Sequence, residues 1–388
     1  MRRKAGLVRA MQMADFGVDE PAPVKRKKLL IVHPRGQFGY QTSSYYLSIY
    51  LQADFDITYV CWDYGLDRIE EKNVQVKYIS RAGGRIQRLW RYLSCISREI
   101  KGTPYDLVYV VHFYLCSLLR FLANHPRMIL DIRTGRIGPR EARLQREAHN
   151  LLIHLESLFF EKVVILSDSL RADLGIAERK CHIFPLGAEQ HPVGPKRFDA
   201  MRLLYVGTLN HRSIDKTVEG FALFRKEVNS GIGLSYDIVG FGTPEAEEAV
   251  ENAIRTSGCG DVVRFHGRVP QKRLGPFLEY CNIGVAFVPI DDRYQSQPST
   301  KIFEYHLAGM PVIATATREN ARCIKSENGV LTNDDPEDFC NGLRLIHRNL
   351  SSYDSGKIRA ESAEFSWESI VRRNLAPCLA DFLTERGR

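Results

Sequence analysis

Apolar runs of strand length alternate with helical stretches along nearly the whole chain, and the alternation starts twice. The first series is KLLIVH (28–33), DITYVCW (56–62), VQVKYI (74–79), DLVYVVH (106–112), RMILDI (127–132), KVVILS (162–167) and CHIFPL (181–186). Strands this rich in Val, Ile and Leu have no polar face to turn to water. They belong in a parallel sheet covered by helices on both sides. A polar stretch with Gly and Pro, GAEQHPVGPKRFDAM (187–201), then interrupts the pattern as linkers do. It resumes with RLLYVG (202–207), LSYDIVG (234–240), DVVRFHG (261–267), IGVAFV (283–288), PVIAT (311–315) and NGVLT (328–332). The fold class expected is α/β, with two doubly wound domains facing a cleft. Ligands in such sheets bind beyond the carboxyl ends of the strands.

A length of 388 residues accommodates two domains with cores of their own. The expected organisation is a flexible basic leader over 1–27 and a Rossmann-like acceptor-side domain over 28–195. A donor domain follows over 196–365, then a C-terminal helix over 366–388 that crosses back to the first domain. No apolar run reaches the roughly 18–20 residues that span a bilayer. The leader lacks the apolar centre of a signal peptide, so a cytoplasmic location is expected. The nine cysteines are scattered without a C-x-x-C pair, the pattern of reduced structural thiols. A net charge of +8 favours phosphate-bearing partners. Neither zinc-finger spacing nor an RNA-binding aromatic signature supports a nucleic-acid partner.

The segment PSTKIFEYHLAGMPVIAT (298–315) carries the most chemistry. Ile302, Phe303, Leu307 and Ala308 fall at helical spacing, leaving Lys301 and Glu304 together on another side. Gly309 suits a C-terminal cap, and PVIAT a short buried strand. Pro298, Ser299 and Thr300 mark the helix start, where backbone amides can hold an anion. Two readings fit these residues: a phosphate-binding helix with a carboxylate one turn in, and a surface helix with one ion pair. Three strands of the second half also end in glycine, in YVGTLNHR, IVGFGTPE and FHGRVPQ, which lets backbone approach a ligand closely.

The order LLYVGTLNHRSIDKTVEGFALF, YDIVGFG, VRFHGRVPQKRLGPFLEYCNIGVAFVP, PSTKIFEYHLAGMPVIAT resembles the donor domain of GT-B glycosyltransferases. It is most similar to the large retaining family four, the glycosyl transferases group 1, and the resemblance covers about residues 202–332. It implies a nucleotide-sugar donor, UDP- or GDP-linked, with no further cofactor. Glu304 would bond the ribose hydroxyls, and Ser299 and Thr300 would hold the pyrophosphate. Arg212 stands where the family has a phosphate-binding lysine, and Lys301 is a second cation. Gly207, Thr208, Gly240 and Gly242 would line the nucleotide, with Gly267 and Val269 bordering the base. In the first domain, Gly36 and Gly39 of PRGQFGYQT resemble the loop that admits acceptor and donor phosphate; a plain β-to-α turn is the alternative. His112, closing DLVYVVH, matches a histidine that contacts the donor sugar, against the alternative of a packed histidine; Asp131 is a further strand-end candidate.

One departure stands out. The family's sugar-facing glutamate, eight residues before the ribose-binding one, is replaced by Ser296, with Asp291, Asp292 and Tyr294 nearby. That implies an altered sugar contact or an inactive scaffold. The D-x-D string at 54–56 begins a strand, the wrong end for a ligand, so no metal is expected there. The resemblance implies a retaining glycosyltransferase. A sugar-nucleotide epimerase of the same architecture and a degenerate nucleotide-binding protein are the rival readings.

The acceptor reading begins from RAGGRIQRLWRYLSCISREIK (81–101). Ile86, Leu89, Trp90, Leu93, Ile96 and Ile100 share one arc, with Arg88, Arg91 and Arg98 opposite. A core-packed helix is one account of it. The other is a basic surface on anionic lipid, joined by KRKK (25–28) and RTGRIGPREARLQR (133–146). On the second account the protein is peripheral at the inner membrane face, with a lipid-linked or polysaccharide glycan as acceptor.

Overall fold

The structure is a computed structural model that describes residues 26–384 apart from 124, 126, 135–142, 229–230, 271–272, 292–293 and 296–298. Ser296, Asp292, Pro298, most of the leader and part of 133–146 therefore lie outside the described residues.

The first half runs β1 (Lys27–His33), α1 (Thr42–Leu51), β2 (Phe55–Asp63), β3 (Val74–Ser80), α2 (Arg85–Gly102), β4 (Leu107–Val111), α3 (Leu118–Ala123), β5 (Met128–Ile132), α4 (Arg143–Ser157), β6 (Lys162–Ile165), α5 (Asp168–Asp173) and β7 (Cys181–Ile183). The second runs β8 (Met201–Thr208), α6 (Asp215–Glu227), β9 (Leu234–Phe241), α7 (Pro244–Ser257), β10 (Val263–Phe265), α8 (Gly275–Tyr280), β11 (Ile283–Ala286), α9 (Thr300–Leu307), β12 (Val312–Thr315), α10 (Asn320–Cys323), β13 (Gly329–Thr332), α11 (Pro336–Arg348) and α12 (Ser355–Ser362). Two C-terminal helices close the chain, α13 (Trp367–Ile370) and α14 (Ala376–Thr384).

Every run read as a strand forms one. The first sheet is ordered β3-β2-β1-β4-β5-β6-β7 and the second β10-β9-β8-β11-β12-β13, all pairs parallel. Strand side chains alternate between two cores. Leu30, Val32, Val108 and Val110 pack under α2 and α3; Leu29, Ile31, Leu107 and Tyr109 face α1 and the C-terminal helices. This two-sided burial is why the strands carry no polar face. Among the described residues no helix is long and apolar enough to cross a membrane.

The C-terminal helices lie on the first sheet, where Trp367, Val371, Leu375 and Leu379 join Leu29 and Ile31 in one core. The two crossings between domains touch each other. Ala188 bridges Ser366 in parallel fashion, with Ala188 N–H donating to Phe365 O (2.9 Å) and Trp367 N–H to Ala188 O (3.1 Å). A Cβ at Gly187 would sit 2.6 Å from the Trp367 ring, so only glycine fits against it. Trp367 also stacks on Tyr46 of α1 at 6.0 Å and meets Phe184 edge-on at 6.4 Å. A second link sits across the domains at α5: Ser169 Oγ donates to Glu319 Oε1 (2.8 Å), which also accepts from Arg322 (2.9 Å).

Trp367 thus fills the seam where both crossings meet. Trp367→Ala should cost about 3–5 kcal/mol, as for other buried aromatic truncations. It should appear as a lower denaturant midpoint at unchanged slope. A loss under about 1 kcal/mol, the range of surface changes, would show that the seam holds without the indole.

Candidate active site

The second-domain residues gather at the carboxyl edge of β8. Lys301, in the first turn of α9, lies across Gly207: a Cβ there would be 2.5 Å from its Cε and 2.8 Å from its Nζ. The Lys301 ammonium also stands 5.5 Å from the Tyr205 ring centroid. Arg212 joins it from the loop after β8, its guanidinium 4.5 Å over the Tyr294 ring, and the Tyr294 hydroxyl donates to His211 O (3.1 Å). That loop is strained, with His211 at φ +56° and Ser213 at +53° on either side of Arg212. Buried and without a partner is the Nε of Arg212.

Ser299 caps α9 without its side chain bonding a backbone amide. Its own N–H is held by Asn320 Oδ1 (3.2 Å), while Asn320 Nδ2 donates to Thr315 O (2.9 Å) at the end of β12. The buried Asn320 therefore aims the start of α9, with its dipole, toward the cations. Glu304 is half-buried one turn further in. Burial pushes its carboxyl up to about 7 against the pull of Lys301, and Glu189 from the linker adds to the rise. Burial, with the Arg212 charge beside it, brings Lys301 down to about 8, while Glu304 opposes the shift. Two cations at a helix start make a set whose chemistry suits a diphosphate. A carboxylate at the rim suits a pair of hydroxyls.

The remaining second-domain candidates are placed less tightly. Thr208 ends β8 and accepts from Tyr205 Oη (2.6 Å); Gly240 N–H donates to Gly267 O (2.9 Å) across neighbouring strand ends. Gly242 N–H is tied to Glu247 (2.9 Å), and Val269 packs partly buried against the second core.

His112 follows β4 at the carboxyl edge of the first sheet and is buried. Arg35, in the loop that also carries Gly36 and Gly39, donates from Nε to His112 O (3.2 Å), and its Nη2 lies 3.4 Å from His112 Nδ1. A guanidinium can only donate, so Nδ1 is the acceptor and Nε2 carries the proton. Burial, then the Arg35 charge, lowers the His112 pKa to about 3, which keeps the ring neutral. Its Nε2 has no partner, leaving a buried donor for an incoming oxygen. Gly39 sits at φ +86° in the turn below. Asp131 is buried beside Arg133, and burial lifts it to about 6.

Among the described residues, His112, Cys116 and Glu156 form a cluster with ligand atoms within 4.8 Å of one another. Glu156 is already saturated. It accepts from the Leu115 N–H (2.7 Å), the Ser117 N–H (3.1 Å) and the Cys116 thiol (2.9 Å), and so pins a turn whose Leu115 has φ +63°. Its proximity also holds the thiol protonated, with burial as the larger cause. The cluster is a brace for the residues after His112.

Sequence reasoning missed Arg35, Asn320 and Glu189. Each is a loop or linker residue whose partner lies far along the chain, and only the position of Arg35 between a strand end and Gly36 hinted at a role.

Residues 200–349 match the family model described as glycosyl transferases group 1. No curated protein matches the chain by sequence. Among solved structures, a sucrose-phosphate synthase from Thermosynechococcus elongatus superposes with a TM-score of 0.70 at 18% identity, covering 93% of this chain and 100% of that one. A glycosyltransferase from Rickettsia africae gives 0.70 at 13% identity, covering 93% and 99%. The HepE protein of Anabaena, in complex with UDP and glucose, gives 0.67 at 14% identity, covering 92% and 100%. The overall superpositions and the family match over the second domain converge: the chain has the two-domain GT-B fold, and its second domain matches the glycosyl transferases group 1 model.

Proposed function

We propose that this protein transfers a sugar from a nucleotide sugar to a glycan acceptor, with retention at the anomeric carbon. The observation that carries this reading is the convergence of Lys301, Arg212 and the start of α9 over Gly207, with Glu304 one turn away. Glu304 holds the ribose hydroxyls, and the two cations with the α9 amides take up the charge that grows on the departing diphosphate. This cationic set supplies the neutralisation without calling on a metal ion. The neutral His112 offers its Nε2–H to a sugar hydroxyl, and the loop with Gly36 and Gly39 admits the acceptor. Closing of the two domains expels the water that would otherwise hydrolyse the donor. The similarity to HepE, solved with UDP and glucose, supports a UDP-linked donor, with a GDP-linked one as the alternative. The basic helix α2, with Trp90 and Ile86 exposed, supports work on a lipid-linked or polysaccharide acceptor at the cytoplasmic face of a membrane. The test of the reaction is turnover of a panel of nucleotide sugars with and without glycan acceptors.

Three outcomes check the site. Glu304→Ala should weaken donor binding about 5- to 150-fold, since losing a buried hydroxyl partner costs about 1–3 kcal/mol. Unchanged affinity in the folded variant would sink the assignment.

Affinity for a nucleotide sugar should peak between the two shifted groups. Glu304 accepts from both ribose hydroxyls best as a carboxylate and loses charge and an acceptor on protonation, so binding weakens as pH falls through about 7. Lys301 neutralises the diphosphate only as an ammonium, so binding weakens again as pH rises past about 8. Calorimetric titration of the donor across this range should give both limbs, and Glu304→Gln should flatten the acid one. A flat profile in the parent protein would show that neither group meets the ligand.

His112→Ala should cut turnover about 100-fold or more, in the range seen for single positioned donors, with nucleotide affinity nearly unchanged. Turnover at the parent level would make the histidine structural.

A further inference from the structure

Three successive residues of the loop after β12 hold three different parts of the molecule. The Arg318 N–H donates to Gln295 Oε1 (2.8 Å). Gln295 follows Tyr294, whose ring lies under the Arg212 guanidinium and whose hydroxyl bonds His211 O. Asn320 holds the Ser299 N–H, and with it the start of α9 that carries Lys301. Between these two, Glu319 reaches the other domain and accepts from the Ser169 hydroxyl of α5. One short loop therefore braces the segment behind each cation and touches the facing domain.

The loop is tied too closely to bend at a single residue. Ala316 N–H donates to Thr332 O (2.8 Å) and Ala321 N–H to Thr317 O (2.9 Å). Thr315 Oγ1 accepts from the Val288 N–H (3.2 Å), and Thr317 Oγ1 from the Asn320 N–H (3.3 Å). Thr315, Thr317, Glu319 and Asn320 are all buried, and packed interiors transmit a displacement instead of absorbing it. At α5 the contact is a closed triangle. Arg322 Nη1 donates to Ser169 Oγ (3.3 Å) and to Glu319 Oε1 (2.9 Å), while Ser169 donates to the same oxygen. Asp168, bonded first to Arg171, also feels the Arg322 charge. Hydrogen bonds are short-ranged, so this contact lasts only while the domains stand together.

We infer that Ser169 and Glu319 are positioning residues for the diphosphate: their bond ties the placement of the first domain to Lys301 through Asn320 and to Arg212 through Arg318. The inference rests on the reading of those two cations as the diphosphate site, and adds that the facing domain sets them. Coupling of this kind is reciprocal, so a diphosphate that draws the cations into place also favours the domain contact. Ser169 stands apart from the chemistry, since α5 follows β6, two strands along the sheet from the β4 edge that carries His112.

The experiment is calorimetric titration of UDP and of GDP onto the full chain, with thermal unfolding of each variant alongside. Ser169→Ala should unfold like the parent yet bind whichever diphosphate the parent takes about five-fold or more weakly. Ser169→Thr keeps the hydroxyl and should restore the affinity. In a Lys301→Ala background the Ser169→Ala change should cost at most about two-fold, because both act on one set of bonds. Parent-level affinity in Ser169→Ala overturns the inference, as does a Ser169→Thr variant no better than Ser169→Ala. So does a loss that persists in full without Lys301, which would show that the contact does not act through α9. A parent protein that binds neither diphosphate strikes the reading of the cations themselves, and the inference falls with it.

Discussion

Lys301 lies across Gly207, and most of the second-domain site depends on that contact. A side chain on residue 207 would collide with the lysine stem, so the strand end must be bare for the helix start to come down onto it. Asn320 holds the same helix from behind through the Ser299 N–H and the end of β12. The ammonium is thereby fixed in a half-buried place beside another cation, where burial and repulsion make it a weaker base than in water. A cation whose basicity burial and a like charge both lower marks a candidate functional site.

The first domain contributes the opposite kind of group. His112 is buried, neutral and held by Arg35, and it presents a single N–H. One side of the cleft therefore offers charge while the other offers a neutral donor. Glu156 sets both the turn after His112 and the outer side of α4. Its three bonds brace the turn behind His112, and the same inward aim turns the leucines of α4 toward the outside.

The strands and the Lys301–Glu304 spacing were legible because local pattern decides them. A run such as LLYV has one place to go in a parallel sheet, and residues three apart on a helix face the same way. Arg35 on His112 and Asn320 on Ser299 were illegible, since each bond joins segments that meet only once the strands are ordered. The α2 arc was read with Ile86 and Trp90 beside Leu93, Ile96 and Ile100. The structure buries the last three and exposes the first two. In α4 a stripe of leucines faces outward because a buried carboxylate, Glu156, claims the inward side.

The linker ties the chemistry to the domain arrangement. Glu189 follows Ala188, which pairs with Ser366 at the seam, and Glu189 also accepts from the Tyr46 hydroxyl of α1. The group that helps raise the Glu304 pKa is thus one peptide from the bridge between domains. Like charges repel more strongly as they approach in a partly dry cleft. A movement that brings the linker nearer α9 must favour protonation of Glu304, and one that withdraws it must favour the carboxylate. Any ligand that donates hydrogen bonds to Glu304 favours its carboxylate, so binding there and the position of the linker are coupled by one free energy.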